Sequence, residues 1–145
     1  MSTGTGDETS RIAQWLYEVL SSDQDILDGT SGVYELPLRP DVELPAVGFS
    51  LLSTVDTTTA DTKDRIFSRQ VWTVRVIVQD WSFATAVPLA DRIDALLQGS
   101  SGSAGGAVIY GARRESSLRM VEDSDGKPYR HLGGVYEVTA QITGD

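Results

Sequence analysis

Gln70-Val-Trp-Thr-Val-Arg-Val-Ile-Val-Gln79 passes through Asp80-Trp81-Ser82 into Phe83-Ala-Thr-Ala-Val-Pro-Leu-Ala-Asp-Arg-Ile-Asp-Ala-Leu-Leu97 and stops at Gly99. In the first part Trp72, Val74, Val76 and Val78 alternate with Thr73 and Arg75. A period of two places the apolar set on one face and predicts a strand packed on one side. In the second part Ala86, Leu89, Ala90, Ile93, Leu96 and Leu97 recur at helical spacing, while Asp91, Arg92 and Asp94 point away. That predicts an amphipathic helix from Phe83 to Leu97. The unit is built for packing and carries no reactive side chain, which directs the reading away from catalysis and towards assembly.

Outward from this unit the chain keeps the same character. Ile12, Trp15, Leu16, Val19 and Leu20 form a helical stripe, capped by Thr9 or Ser10 and ending near Ser22. Asp23 caps a further short turn through Ile26 and Leu27, stopped by Gly29. Val33 to Leu36 reads as a short strand, and Pro37, Pro40 and Pro45 keep the following segment extended and irregular. Ala46 to Thr54 is a second strand with Val47, Phe49 and Leu51 on one face. Ala107 to Glu122 holds one long or broken strand. Tyr129 to Thr143 holds the last, with Tyr136, Val138, Ala140 and Ile142 on one face. Between these two, Asp125-Gly126 suits the central positions of a type I′ hairpin turn. The Gly/Ser run from Gln98 to Gly106 reads as a flexible connection.

The order predicts an α+β fold: a mixed or antiparallel sheet of about four to five strands, with two amphipathic helices packed on one face. Residues 1–8 are expected to be a flexible tail and residues 9–145 a single domain. Residues 55–65 carry almost no apolar content and are read as a long exposed arm or hairpin tip. Such a segment either orders against a neighbouring subunit or stays mobile, and the composition fits both.

The bulk composition excludes several chemistries. The chain has 145 residues, enough for one domain with its own core, and 40% of them are hydrophobic, in the ordinary globular range. It has no cysteine and one histidine, so thiol nucleophiles, disulfides and multi-histidine metal sites are ruled out. The formal net charge is −9, which opposes a nonspecific grip on nucleic acid. The charge is uneven: residues 1–65 hold 12 acidic and 4 basic side chains, and residues 66–145 hold 9 and 8. The acidic half repels DNA or selects a basic partner. The N-terminus lacks a secretory pattern, and no apolar run approaches the ~20 residues of a membrane helix. A soluble protein without disulfides is expected.

No motif marks a catalytic centre. His131 is the lone imidazole, precedes Gly133-Gly134, and has no partner at a telling spacing, so it is read as a surface or turn histidine. Asp23, Asp25 and Asp28-Gly29 miss the spacing of a calcium loop and read as helix capping. The run Gly99 to Gly106 lacks the Gly-Lys-Ser/Thr of a phosphate cradle. Arg113-Arg114, with Arg119 and Arg130, forms either a small basic patch or a solvated strand edge. Neither enzymatic activity nor a metal or cofactor is expected.

Several segments resemble the tail terminator, or tail completion, proteins of long-tailed bacteriophages. They are Trp15-Leu-Tyr-Glu-Val-Leu20 with Ser21-Ser-Asp23 and Val33-Tyr34; Leu44-Pro-Ala-Val-Gly-Phe49; Val74-Arg-Val-Ile-Val-Gln79 with Ala90-Asp-Arg-Ile-Asp-Ala-Leu-Leu97; and Gly134-Val-Tyr-Glu-Val-Thr139. The likeness is one of layout and runs from residue 10 to residue 142. It implies a structural virion protein that forms a ring, commonly hexameric, at the head-proximal end of the tail. The ring caps the tail tube, ends its polymerisation and presents the head-docking surface. The implied partners are further copies of the chain, the tail tube protein and head–tail connector proteins. DNA passes through the ring without sequence-specific contact, and assembly takes place in the host cytoplasm. Candidate interface residues are Asp56, Asp61, Lys63, Asp64, Arg65 and Phe67 around the arm, with Arg113 and Arg114. The competing readings are another head–tail connector or minor tail protein, a small hydrolase or transferase lacking a credible nucleophile–base set, and a protein-binding module outside phage.

Overall fold

The alternating stretch is a strand and its continuation is a helix. The computed structural model describes residues 5–58, 65–104 and 107–142. Its elements are α1 (Thr5–Ser21), α2 (Gln24–Gly29), β1 (Val33–Glu35), β2 (Ala46–Thr58), β3 (Arg65–Val78), α3 (Ala86–Leu97), β4 (Gly102–Ala104), β5 (Ala107–Ser124) and β6 (Lys127–Ile142). The strands form one mixed sheet in the order β1-β2-β3-β6-β5-β4. Only β1 and β2 are parallel; every other pair is antiparallel. The α+β class and the mixed sheet agree with the expectation.

The sheet has six strands rather than four or five. The extra one is β4, cut from the Gly/Ser run read as a linker. Its composition carries no strand signal because backbone and close packing hold it. Gly102 pairs with Ile109, and a Cβ on Gly102 would meet Trp15 Nε1 at 2.9 Å. Ala104 is buried in the core. Two long strands also exceed their expected bounds: β2 continues to Thr58 and β3 starts at Arg65, paired by backbone. Residues 59–64 of the expected arm lie outside the described residues.

The core lies between the sheet's front face and the helices. Trp72, Val74, Val76 and Val78 of β3 join Tyr136, Val138 and Ala140 of β6, with Val47 and Phe49 of β2 alongside. Against them pack Ile12, Trp15, Leu16 and Leu20 of α1, and Ala86, Leu89, Ile93 and Leu97 of α3. Both helices sit on this face, as their stripes dictate. Trp72 is fully buried; its ring lies 5.9 Å from that of Phe49, tilted by 51°. Its Nε1–H donates to Gln70 Oε1 at 3.1 Å, and Gln70 Nε2 donates to Thr9 Oγ1 at 3.1 Å. Thr9 and Ser10 thus lie within α1 instead of capping it. Leu51, the last of the β2 stripe, is exposed, next to a register shift between Leu51 and Ser53.

The helix α3 begins at Ala86 rather than Phe83, because local side chains build a turn first. Asp80 Oδ1 accepts from Ser82 N–H at 3.3 Å, and Ser82 Oγ accepts from Ala84 N–H at 3.2 Å. Asp23 caps α2 as expected, its carboxylate accepting from Ile26 N–H. Arg92 of α3 also binds Asp23, at 2.6 Å, and together these donors hold the Asp23 carboxyl below its ordinary range. The Asp23–Arg92 pair therefore joins two helices. At the β5–β6 turn, Asp125 and Gly126 adopt φ of 53° and 75°, the double left-handed geometry of a type I′ turn.

Candidate interface surfaces and a buried polar cluster

The two long hairpins overhang opposite ends of the sheet. The ladder between β3 and β6 runs from Ser68↔Ala140 to Val78↔Arg130. Past its first end, β2 and β3 continue as a two-stranded ribbon through Asp56↔Ser68, Thr57↔Phe67 and Thr58↔Arg65. Past its other end, β5 and β6 continue through Glu122↔Tyr129 to the Asp125–Gly126 turn. The backbones of Asp56, Arg65 and Phe67 thus lie in the ribbon, while Asp61, Lys63 and Asp64 lie outside the described residues. Arg113 and Arg114 are on β5, separated from β2 by β3 and β6, roughly 14 Å across three strand spacings. The fold does not bring the arm residues and the arginine pair into one patch. It puts them on different sides of the protomer.

The two arginines also differ from each other. Arg113 pairs across the strand with Glu137 at 3.3 Å and stays 67% exposed along its side chain. Arg114 is used within the protomer. Its N–H donates to Gln98 Oε1 at 2.7 Å and its guanidinium lies 3.5 Å from Asp94, which accepts from Tyr136 O–H at 2.9 Å. Burial and the Asp94 carboxylate together push the Tyr136 hydroxyl well above its ordinary pKa, so it stays a donor. Arg119 and Arg130 form a separate group. Their guanidiniums lie 4.0 and 5.6 Å from the Phe83 ring centre, and Arg130 also donates to Trp81 O at 2.9 Å. The four arginines form no single basic patch.

A feature missed in the sequence lies on the sheet's other face. The segment from Leu36 to Pro45, whose Leu36–Pro37 and Leu44–Pro45 bonds are cis, returns the chain from β1 to β2 across that face. Gly48 makes this possible, because a Cβ there would overlap the Leu36 side chain. Between the segment and the sheet is a cleft of about 660 Å³, walled by Leu38, Val42, Leu44 and Ile77 and bearing Arg39, Arg75, Glu122 and His131. His131 is neither a surface nor a turn residue: it sits within β6, 7% exposed. Its Nε2 lies 2.9 Å from Glu122 Oε1. Its Nδ1 and Arg75 Nε are buried without a hydrogen-bond partner. Burial lowers the His131 pKa; Glu122 pulls it up and Arg75 pushes it further down. Burial likewise lowers that of Arg75, opposed by Glu122. A signal for this cluster existed. The Asp125–Gly126 turn fixes the hairpin register, which puts Glu122 opposite Tyr129 and diagonal to His131.

Among the described residues no group of three His, Cys, Asp or Glu side chains converges on a metal-sized site. No described helix is long and apolar enough to cross a membrane. No protein-family model matches the sequence, and no curated protein matches it. The fold is found in a solved structure. It is similar to a chain of the "Virion of native gene transfer agent (GTA) particle", with a TM-score of 0.67, 18% sequence identity, and coverage of 92% of this chain and 96% of that one. At this identity the likeness is one of fold, spanning nearly the whole of both chains.

Proposed function

We propose that this chain is a structural protein of a phage-like virion, forming a ring that caps the tail tube, ends its polymerisation and offers the surface to which the head docks. The observation that carries the reading is the near end-to-end match with a virion chain, with little of either left over. The resemblance of the helix, strand and proline-turn segments to tail terminators supports the finer role.

The sheet's edges supply a physical route to a ring. On one side β1 covers only Val47 to Phe49 of β2, and on the other β4 covers only Ala107 to Ile109 of β5. Leu36 bonds Phe49, and residues 98–100 bond Ala112 and Arg114, so the outer edges of β2 beyond Phe49 and of β5 beyond Arg114 carry backbone groups that no neighbouring strand of this sheet satisfies. Such edges are templates for pairing with another chain. The two lie on opposite sides of the protomer, and a contact between unlike edges is heterologous, closing into a ring when the rotation allows. A hexamer is the stoichiometry the resemblance implies.

The test is to add purified protein to isolated tail tubes and to polymerising tube protein, with negative-stain imaging of the ends. Rings at one tube end and arrested elongation are expected. Bare ends with unchanged tube growth would reject the capping role and leave a connector position elsewhere in the particle.

A further inference from the structure

The back-face cleft has the chemistry of a binding site that the ring reading does not use. Two cations face it, Arg39 and Arg75. Among the described residues neither lies within ion-pair distance of a carboxylate. Glu122 is the one acidic group in the lining, and it is hydrogen-bonded to His131. With His131 neutral, the cleft holds one excess positive charge in a chain of net −9. Arg75 is held from behind: a Cβ on Gly133 would lie 2.6 Å from Arg75 Cα, so β6 approaches β3 at that point as only glycine permits.

The polar groups specify more than an anion. An ionised carboxylate only accepts hydrogen bonds, so Glu122 takes the Nε2–H of His131. In the neutral ring Nδ1 is then a bare acceptor, and it has no donor. Arg75 Nε–H is a donor with no acceptor. Both atoms are buried behind the cleft surface, and the cleft offers the two cationic side chains of Arg39 and Arg75 beside an aliphatic wall. A carboxylate flanked by branched aliphatic groups complements both. An acidic residue in a peptide has that pattern. The volume of about 660 Å³ accommodates a few residues.

We propose that this cleft docks a segment of a partner protein through one Asp or Glu, whose carboxylate is taken by Arg75 and Arg39 while its aliphatic neighbours rest on Val42, Leu44 and Ile77. His131, fixed by Glu122 and diagonal to Arg75 across the β3–β6 pair, is a positioning residue that shapes the wall beside Arg75. Salt bridges of Arg to a desolvated carboxylate are charge-assisted and geometrically selective, so the site discriminates Asp from Asn.

The probes are acetyl-Val-Leu-Asp-Leu-Val-amide and its Asn counterpart, titrated into the full-length ¹⁵N-labelled protein with the Arg75 Nε–H resonance followed by NMR. The Asp peptide should shift that resonance saturably, and the Asn peptide should bind about tenfold weaker or worse, the loss of one charge-assisted contact. Arg39→Gln lies on the irregular segment, away from the core, and should weaken the Asp peptide without changing the Asn peptide. Equal affinity for both peptides, shifts confined to residues outside the cleft, or no saturation at millimolar Asp peptide would overturn the proposal. So would 4-methylpentanoate binding as tightly as the Asp peptide, because that would make the site one for a free carboxylate.

Discussion

The two faces of the sheet are made by the same strands and are built in opposite ways. On the front face Trp72, Val74, Val76 and Val78 meet two amphipathic helices and are shut from water. On the back face Thr73, Arg75 and Ile77 alternate with them, and the cover is a proline-bearing segment without regular structure. In the front, the buried polar groups of Gln70 and Trp72 satisfy each other and Thr9, and the small hydroxyl of Ser68 at the end of that row is the one buried polar atom there without a partner among the described residues. At the back, Arg75 Nε and His131 Nδ1 remain unsatisfied. Unpaired buried polar atoms are uncommon in folded proteins and call for a reason. The front face holds the fold together. The back face holds features that stability alone does not explain.

The largest expected effect tests the front. Trp72→Ala removes a fully buried ring beside Phe49 and leaves Gln70 Oε1 without its donor. It should destabilise the protein by about 3–5 kcal/mol, measured by denaturant unfolding. A midpoint near wild type would mean that this face contributes far less than its burial indicates.

Next is a substitution where the faces share a backbone. At Gly133 a Cβ would run into the Val74 carbonyl oxygen of β3, which cannot swing aside as a side chain could. Gly133→Ala should cost about 1–3 kcal/mol by forcing β3 and β6 apart. It should also move the Arg75 Nε–H resonance, because the strain falls on the strand that carries Arg75. Unchanged stability with an unchanged resonance would show that the strand approach is not needed to seat Arg75.

How far the sequence could be read follows the same division. The front face was legible because burial on one side imposes period two on β3 and helical spacing on α1 and α3. The Asp125–Gly126 turn was legible because few residues tolerate left-handed φ. The strand β4 was not, since Gly102-Ser-Ala104 is held by its backbone and by the space under Trp15. The His131 cluster was missed because its members come from three strands, and no single window contains Arg75, Glu122 and His131 together. Only pairing across the hairpin joins two of them. The arginines were overgrouped because neighbours in sequence on a strand face opposite ways, so Arg113 meets Glu137 while Arg114 meets Asp94.

Gly126→Val tests the overhanging end of the β5–β6 hairpin. A β-branched residue at φ 75° is strained, and the cost should be about 1–2 kcal/mol. Because the turn lies beyond the helix-covered sheet, chemical shifts of the front-face core should stay native while those of the cleft near Glu122 change. Equal perturbation of both faces would mean that the hairpin tip is not separable from the core.

A smaller, graded effect distinguishes the faces by pH. Burial holds the folded-state pKa of His131 below the ordinary 6.5, so the unfolded chain binds the proton more readily. Its contribution to stability is full above pH 6.5 and is lost as the pH falls through the folded value. His131 is the single histidine, so few other side chains titrate in this window. Wild-type stability should therefore drop on acidification from about pH 7.5 to 5, and His131→Gln, which keeps a donor for Glu122, should show a shallower drop. Parallel curves would place His131 in water rather than in the cleft wall.

The smallest effect on folding is expected at Arg113, and there the stability and assembly readouts should part. Its ion pair with Glu137 is exposed, and exposed pairs contribute about 0–1 kcal/mol, so Arg113→Ala should unfold at nearly the wild-type denaturant concentration. The residue lies on β5, just before the part of that strand's outer edge that residues 98–100 leave uncovered, and in the less acidic half of the chain. A neighbouring copy that docks the Asp56 end of β2 there would meet the Arg113 guanidinium. Charge contacts at such a rim govern association rate and salt dependence more than folding. If the chain forms the proposed ring, Arg113→Ala should slow its formation on tail tubes, and raising the salt concentration should narrow the gap from wild type as screening removes the same attraction. An equal ring-forming rate at low salt would remove Arg113 from the interface, while the open edges of β2 and β5 would remain the route to assembly.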